Sequence, residues 1–517
     1  MKIRVGLPTL NKQADAPRFK RWLSYGLPLN KPVIVPAQGR VLQYRNSVIK
    51  TSTKERQITM QPTTTTRGKL KQFAIILVPI LVTQLALSAI TFFDTNMSGK
   101  FSSVDLAGVA IATSIWIPVQ TGLSGILMGI TPIVSQLVGG RQEQKVAYQV
   151  NQALWLSVLL AIVVLAIGYA VVPSILGAMN LEPEVRRIAS HFLAAISIGI
   201  IPLFAYTVLR SFIDALGQTK ISMVITLITL PVNVGLNALL IYGYWGFPRL
   251  GGVGAGLASA ITYWTVLVIA IVIIHRNHPF SPFGIFRQLR GVSLSAWKGL
   301  LKIGVPIGFS IFLETAVFAA VTLLMSSFDT ATIAAHQAAL NFATTLYMLP
   351  LSICMSLTIL VGFEAGSGRM KDAWKYAKLG IGTAVILSLI TAVVLFMAGR
   401  QVAGLYSNEP EVVALIQHFL LFAIFFQISD AIATPTQGAL RGYKDVNVAF
   451  MLAFLSFWVI GLPVGYVLAN YTDWQAFGYW IGLITGLGVG AALMLMRLVK
   501  VQRKFAGQAK TTSLSAS

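Results

Sequence analysis

Three carboxylates stand inside stretches that are otherwise apolar: Asp94, Glu314 and Asp430. A charged side chain at bilayer depth costs about 2.5–3.5 kcal/mol even on lenient scales. No Lys or Arg is expected at the same depth to neutralise them. A carboxyl in that position either carries a proton or binds a cation, and both properties suit coupling to an ion gradient. Amides accompany the acids. Asn233 and Asn237 are spaced i and i+4, which puts both on one helix face. With Asp94 they supply oxygens for a small cation or hydrogen bonds to a protonated acid; as a pair of membrane asparagines they also fit plain interhelical bonding. Gln337 and Asn341 share a face in the same way. His336 beside them fits a proton relay or a structural interhelical histidine. His191 and His418 flank loops and are expected to be structural. Asp214 and Asp445 follow Arg210 and Arg441, and a local ion pair is expected in each turn.

The elements that must carry these residues are helices. The chain has 517 residues, 55% apolar and only 11% charged, with a mean hydropathy of +0.73. A soluble domain carries about 25% charged residues. Apolar stretches near or above 20 residues are long enough to cross a bilayer, and they lack the alternation of barrel strands. The fold class is therefore an all-α integral membrane protein. Twelve helices are predicted, at 72–97, 105–138, 146–175, 187–211, 219–244, 252–275, 297–328, 332–365, 371–399, 411–440, 446–470 and 475–499. The second and eighth exceed what a bilayer needs, so tilt or bending is expected. Pro79 and Pro231 are expected kinks, and Pro79 places a hinge fifteen residues before Asp94.

The twelve divide into two copies of one unit. Glu182-Pro183-Glu184-Val185 recurs as Glu409-Pro410-Glu411-Val412, 227 positions on, each followed by His-Phe-Leu. Val78-Pro79-Ile80 pairs with Val305-Pro306-Ile307, Arg141…Tyr148 with Arg369…Tyr376, and Gly217…Lys220 with Gly442…Asp445, at nearly the same offset. Six helices per copy is an even number, so the copies enter the membrane in the same direction and their symmetry axis runs along its normal. The expected domains are an N-lobe at 67–275, a linker at 276–296, a C-lobe at 297–500 and a tail at 501–517.

The net charge of +23 invites a nucleic-acid reading that its distribution opposes. Residues 1–59 hold 12 Lys+Arg, and the other 28 fall mostly in short loops, 23 of them on one side of the predicted bundle. That asymmetry orients a membrane protein, with the rich side and both termini cytoplasmic. Residues 1–66 read as a basic, disordered extension; a true start at Met60 and a transit peptide are alternatives. The single cysteine, Cys354, excludes a disulfide within the chain. No phosphate-binding loop, metal-spaced His/Cys cluster or nucleophile elbow occurs, which argues against ATP-driven transport and against an enzyme.

Ordered along the chain, Pro79…Phe93-Asp94-Thr95, Thr131-Pro132-Ile133-Val134, Leu250-Gly251-Gly252-Val253-Gly254, Ala335-His336-Gln337…Leu340-Asn341-Phe342 and Gly438-Ala439-Leu440-Arg441-Gly442-Tyr443-Lys444-Asp445 resemble the multidrug and toxic compound extrusion (MATE) family, in its NorM-type branch. The likeness covers about 67–505. It implies a V-shaped exporter that exchanges Na+ or H+ for organic cations, with no cofactor beyond that ion. By resemblance, Asp94, Asn233 and Asn237 are the ion-coupling group of the first lobe, and Glu314 and Asp430 that of the second, where a Na+ ion would sit. Ser114 and Gln337 would touch substrate along with the three acids, Glu409 would lie near the outer mouth, and Pro79 would be the hinge. Some relatives place an acid where this chain has Asn237.

The expected function is thus a secondary antiporter exporting organic cations or drugs by alternating access, acting as a monomer among plasma-membrane lipids, with no nucleic-acid partner. A lipid-linked oligosaccharide flippase of the same superfamily is the alternative within transporters; it would need basic groups in its cavity. An ion channel or membrane scaffold is the alternative outside them.

Overall fold

A computed structural model describes residues 60–287 and 290–514, with side chains to Phe505. Of the expected basic extension, 1–66, residues 1–59 lie outside the described residues, Met60 is buried and Thr66 already begins a helix. Every regular element described is helical. The helices are α1 (Thr66–Phe101), α2 (Ser103–Met128), α3 (Ile130–Gly139), α4 (Glu143–Ala178), α5 (Pro183–Ser197), α6 (Ile200–Ala215), α7 (Thr219–Tyr242) and α8 (Gly252–Arg276) in the first copy. The second copy has α9 (Leu294–Leu324), α10 (Thr330–Gly366), α11 (Met370–Gly404), α12 (Pro410–Gly442), α13 (Val446–Phe454), a π-helical segment Leu455–Gly461, α14 (Leu462–Tyr471) and α15 (Ala476–Leu514). Among the described residues, 11 helices are long and apolar enough to span a membrane, and the bent pair α5–α6 makes a twelfth.

The repeated Glu-Pro-Glu-Val phrase starts equivalent helices. Pro183 and Pro410 sit at the first helical positions of α5 and α12, where a missing N–H costs nothing. Glu184 and Glu411 lie in those first turns, facing the positive end of the helix dipole. Hydroxyls and carboxylates start other spans: Thr65 accepts from Gly68 N, Ser102 from Val104 N and Asp329 from Thr332 N.

Three predicted spans are broken where the sequence suggested continuous helix. The predicted 105–138 helix is interrupted at Gly129; Pro132 has no N–H for the Met128 carbonyl four residues back. The predicted 187–211 helix bends by 50° between α5 and α6. Gly199 lies at that bend, and a Cβ there would come 2.8 Å from Ala260 Cα. Its counterpart in the second copy, 227 positions on, is the buried Phe426, and α12 runs unbroken. The predicted 446–470 helix carries the π-helical turn, just before Pro463 removes another N–H. By contrast α1 continues through Pro79. The Ile75 carbonyl freed by that proline faces Thr219 Oγ1 at 3.5 Å, and the same hydroxyl donates to Ile76 O at 3.2 Å.

The start of α1, the start of α11, the end of α12 and the late part of α15 meet at one end of the bundle, the terminal end. Lys69 pairs with Asp372 at 3.2 Å, Gln502 Nε2 donates to Met370 O, and Tyr443 OH donates to Gln502 Oε1. The two copies pack on each other toward this end. A Cβ at Gly125 would meet Gly308 Cα at 2.8 Å, and one at Gly129 would meet Gly304 Cα at 2.7 Å. Gln136 Nε2 donates to Gly442 O at 2.8 Å and Ser367 Oγ to Gly139 O at 3.0 Å. One apolar core runs through both copies here, from Phe73 and Val134 to Leu360 and Leu498. A separate core, including Val317, Phe419 and Trp480, fills the far half of the second copy alone. Polar residues of α2 and α10, among them Ser114 and Gln337, are exposed in the far half.

Candidate functional site

Asp94, Asn233 and Asn237 come together in the first lobe. Asp94, on α1, is half-buried, while Asn233 and Asn237 on α7 are fully buried. Asn237 Nδ2 donates to Asp94 Oδ1 at 2.5 Å and to Asn233 Oδ1 at 3.1 Å. The other carboxyl oxygen, Oδ2, accepts from Ser259 Oγ of α8 at 3.0 Å. Asn237 Oδ1 has no hydrogen-bond partner. One carboxyl and neighbouring amide and hydroxyl oxygens thus converge from three helices, with neutral donors only.

The second-lobe acids also come together. Asp430, buried in α12, accepts from Thr434 Oγ1 at 2.6 Å through Oδ1, and its Oδ2 has no partner. Thr434 lines a small cavity together with Glu314 of α9, Gln437 of α12 and Ser456 of the π-helical segment. Trp458 of that segment donates its Nε1–H to Leu313 O at 3.2 Å, fastening the irregular turn beside Glu314. Among the described residues no Lys, Arg or His pairs with Asp94, Glu314 or Asp430. The groups of three His, Cys, Asp or Glu that would mark a tight metal centre are absent from the described residues. A cation at either place would rest on one or two carboxylates and neutral oxygens.

Two expectations about charge need correction. Arg441 does not pair with Asp445 across a turn. It lies in the last turn of α12, buried, and donates to Gln437 Oε1 at 2.5 Å, with Nη1 3.9 Å from Cys354 Sγ. The cause is the helix end: α12 stops at Gly442 and Lys444 turns to φ 61, so residues 441 and 445 no longer share a face. Asp445 instead pairs with Arg497 of α15 at 2.6 and 2.9 Å. Arg210 and Asp214, both inside α6, do pair at 3.5 Å. Arg441 is a buried cation the sequence reading placed outside. It lies eleven residues from Asp430 along α12, but its partner Gln437 lines the Glu314 cavity, and its charge acts on Glu314 without an ion-pair contact.

His336 is held at both ring nitrogens: Trp480 Nε1 donates to Nδ1 at 3.1 Å, and Nε2 lies 3.2 Å from Thr322 Oγ1. That is a structural arrangement. Gln337 and Asn341 line a wide cavity of about 910 Å³ at the far end, with Tyr406 and Glu409. Tyr406 OH donates to Asn341 Oδ1 at 3.1 Å. Ser114 is exposed on α2, its Oγ donating to Ile111 O, and it shares neither cavity. Ser259, Thr434, Gln437 and Ser456 escaped the sequence reading. Thr434 was findable, one helical turn after Asp430; Ser259 and Ser456 carry no signal of their own.

Two stretches of the chain, 79–239 and 306–467, match the MatE family, and their starts are 227 positions apart, the offset of the internal repeat. The chain is 58% identical over 446 residues to a probable multidrug resistance protein NorM of Bacillus subtilis (strain 168), covering 86% of this chain and 99% of that one. It is likewise 58% identical over 449 residues to a probable multidrug resistance protein NorM of Bacillus cereus (strain ATCC 14579), covering 87% and 99%. Among solved structures, the eukaryotic MATE transporter AtDTX14 superposes with a TM-score of 0.73 at 19% identity, over 85% of this chain and 99% of that one. An outward-facing multidrug resistance MATE family transporter gives 0.75 at 16%, over 86% and 100%. The chain, a multi-pass membrane protein with two helical lobes, therefore belongs to the MATE family of transporters.

Proposed function

We propose that this protein is a secondary active antiporter that exports organic cations in exchange for Na+ or H+ by alternating access. The observation that carries the reading is the state of the three acids. Asp94 and Asp430 accept hydrogen bonds from neutral groups, Glu314 lies in a cavity shared with Thr434, and among the described residues no Lys, Arg or His forms an ion pair with any of them. Such carboxyls can serve a lipophilic cation and an inorganic one by turns, and competition for one negative charge links the two fluxes. The names of the Bacillus relatives, multidrug resistance proteins, point to drugs as cargo.

With the termini cytoplasmic, as the basic loops argue, the terminal end faces inward and the exposed far half outward. In that conformer an external ion reaches the acids, neutralises them and releases the drug. The lobes then rock to close the far half and part at the terminal end, where the next cation binds. The setting in this reading is a bacterial plasma membrane.

The test is dye efflux from proteoliposomes, driven in turn by a pH gradient and by a sodium gradient. Asp94→Asn and Asp430→Asn should each abolish ion-driven efflux while the protein still inserts. Unchanged transport in both variants refutes the reading.

A further inference from the structure

The repeat brings two equivalent junctions to the terminal end, and they are built differently. At one, the linker entering α9 docks on α4 through hydrogen bonds between neutral groups, with no ion pair among the described residues. Gln152, fully buried, donates to Gly291 O and accepts from Ser293 N, both at 2.8 Å. Trp297 Nε1 donates to Gln152 O at 3.0 Å, and Arg290 lies over the Tyr148 ring. At the other, the start of α1 docks on α11 around Tyr376, the repeat partner of Tyr148. Here Lys69, only 2% exposed, pairs with Asp372 at 3.2 Å, donates to Thr63 O and lies 4.9 Å over the Tyr376 ring. Tyr376 OH donates to Gln72 Oε1 at 2.9 Å.

These junctions differ in what separation would cost. The neutral one holds the linker through both amide atoms of the buried Gln152, with no charge that gains hydration if it parts. The ionic one joins two charged side chains. With Lys69 buried and Asp372 18% exposed, the two charges attract; parted and wetted, each recovers its hydration. A contact with those two compensated states suits a reversible closure.

We propose that Lys69 and Asp372 form an ionic latch between the lobes that must part when the terminal end opens, while the Gln152 clasp stays shut as the pivot. The proposal rests on the alternating-access reading. Asp372 is 18% exposed and also pairs with Lys375 at 3.6 Å, so the orphan charge arises on the other side: removing Asp372 leaves the buried Lys69 without this counter-charge in the closed state, which drives the terminal end open. Removing both leaves no orphan charge, so the closed state recovers in part.

The test uses the full chain with Cys354, its single cysteine, replaced by Ala and a reporter at Ser135→Cys. Ser135 is fully buried on α3, facing Gly362 of α10. In membranes, a water-soluble maleimide reads opening of the terminal end as labelling rate during turnover. Asp372→Asn should raise that rate about tenfold, equivalent to about 1.4 kcal/mol; Lys69→Met should raise it less, because Lys375 still faces Asp372, and the double variant should fall back toward the parent from the Asp372→Asn rate. Tyr376→Phe, which keeps the packing and loses the hydroxyl bridge, should give a smaller rise. Labelling in the parent at a rate unchanged in every variant, or strictly additive increments, overturns the latch and leaves alternating access standing. No labelling in parent or variants under any gradient overturns both.

Discussion

Gly129→Ala is a one-carbon test of how the lobes meet. The added Cβ would lie 2.7 Å from Gly304 Cα and 2.9 Å from Gly304 N, where ordinary contact begins at 3.4 Å. These are backbone atoms, so no rotamer change relieves the overlap. α2 and α9 must separate locally by about 0.7 Å, the difference between those distances. Overpacking of a tight junction costs about 1–3 kcal/mol. At about 1.4 kcal/mol per factor of ten, that is a 5- to 150-fold loss of the conformer closed at the terminal end. The penalty falls on this conformer alone if the junction opens in the opposite state. The expected outcome is slower gradient-driven dye efflux in proteoliposomes, together with faster labelling of the Ser135→Cys reporter. Gly168→Ala is the control, because nothing lies within 4 Å of a Cβ there. Efflux and labelling at parental rates in Gly129→Ala would refute the claim that the lobes part where these glycines touch.

Three further outcomes follow from named bonds. Thr434→Val keeps the shape of the side chain but removes the hydroxyl that donates to Asp430; a hydrogen bond to a charged group is worth about 1.5–3 kcal/mol and supports the bare carboxylate, so the apparent affinity for the coupling ion should rise at least about tenfold, with correct membrane insertion. His336→Gln should lower the thermal midpoint but leave the ion preference of efflux unchanged, because both ring nitrogens are already engaged by Trp480 and Thr322; a loss of proton coupling alone would show a relay. Asp329, outside the membrane-spanning helices, is held below the usual aspartate range by bonds from the Thr332 hydroxyl and N–H. A depressed carboxyl adds stability that is complete above its unfolded value of about 3.9 and fades as pH falls through the lower folded one. The thermal midpoint of the parent should therefore fall in that acid window more steeply than that of Asp329→Asn, measured across a pH series.

Much of this architecture was readable from residue order because its signals are local. A proline at the first helical position works the same way wherever it occurs, so Pro183 and Pro410 announced equivalent helices. Asp94, Asn233 and Asn237 were legible because an acid and two amides one turn apart stand out against apolar neighbours. The bends were harder. Pro132 gave a local reason for the break at Gly129, whereas Gly199 bends against Ala260, a neighbour that only the folded chain supplies. Serines were hardest. In these helices a serine hydroxyl commonly bonds its own backbone, as Ser456 does with Leu452 O and Ser135 with Thr131 O. Ser259, which reaches Asp94 instead, looks no different in sequence. Arg441 was misplaced because the fate of a residue in a last helical turn depends on which way the chain leaves it.

The π-helical turn at Leu455–Gly461 shifts register. One surplus residue in a helical turn rotates everything before it by about 100° relative to everything after it, since an α-helix has 3.6 residues per turn. Ala453 and Ser456 reach the Glu314 cavity from α13 and this turn, so their aim depends on that rotation. Deleting a single amino acid within the turn would leave composition and span length almost untouched, yet would swing the α13 face away from the acid. The wall of the second-lobe cavity is therefore set by a count of residues as much as by their identities.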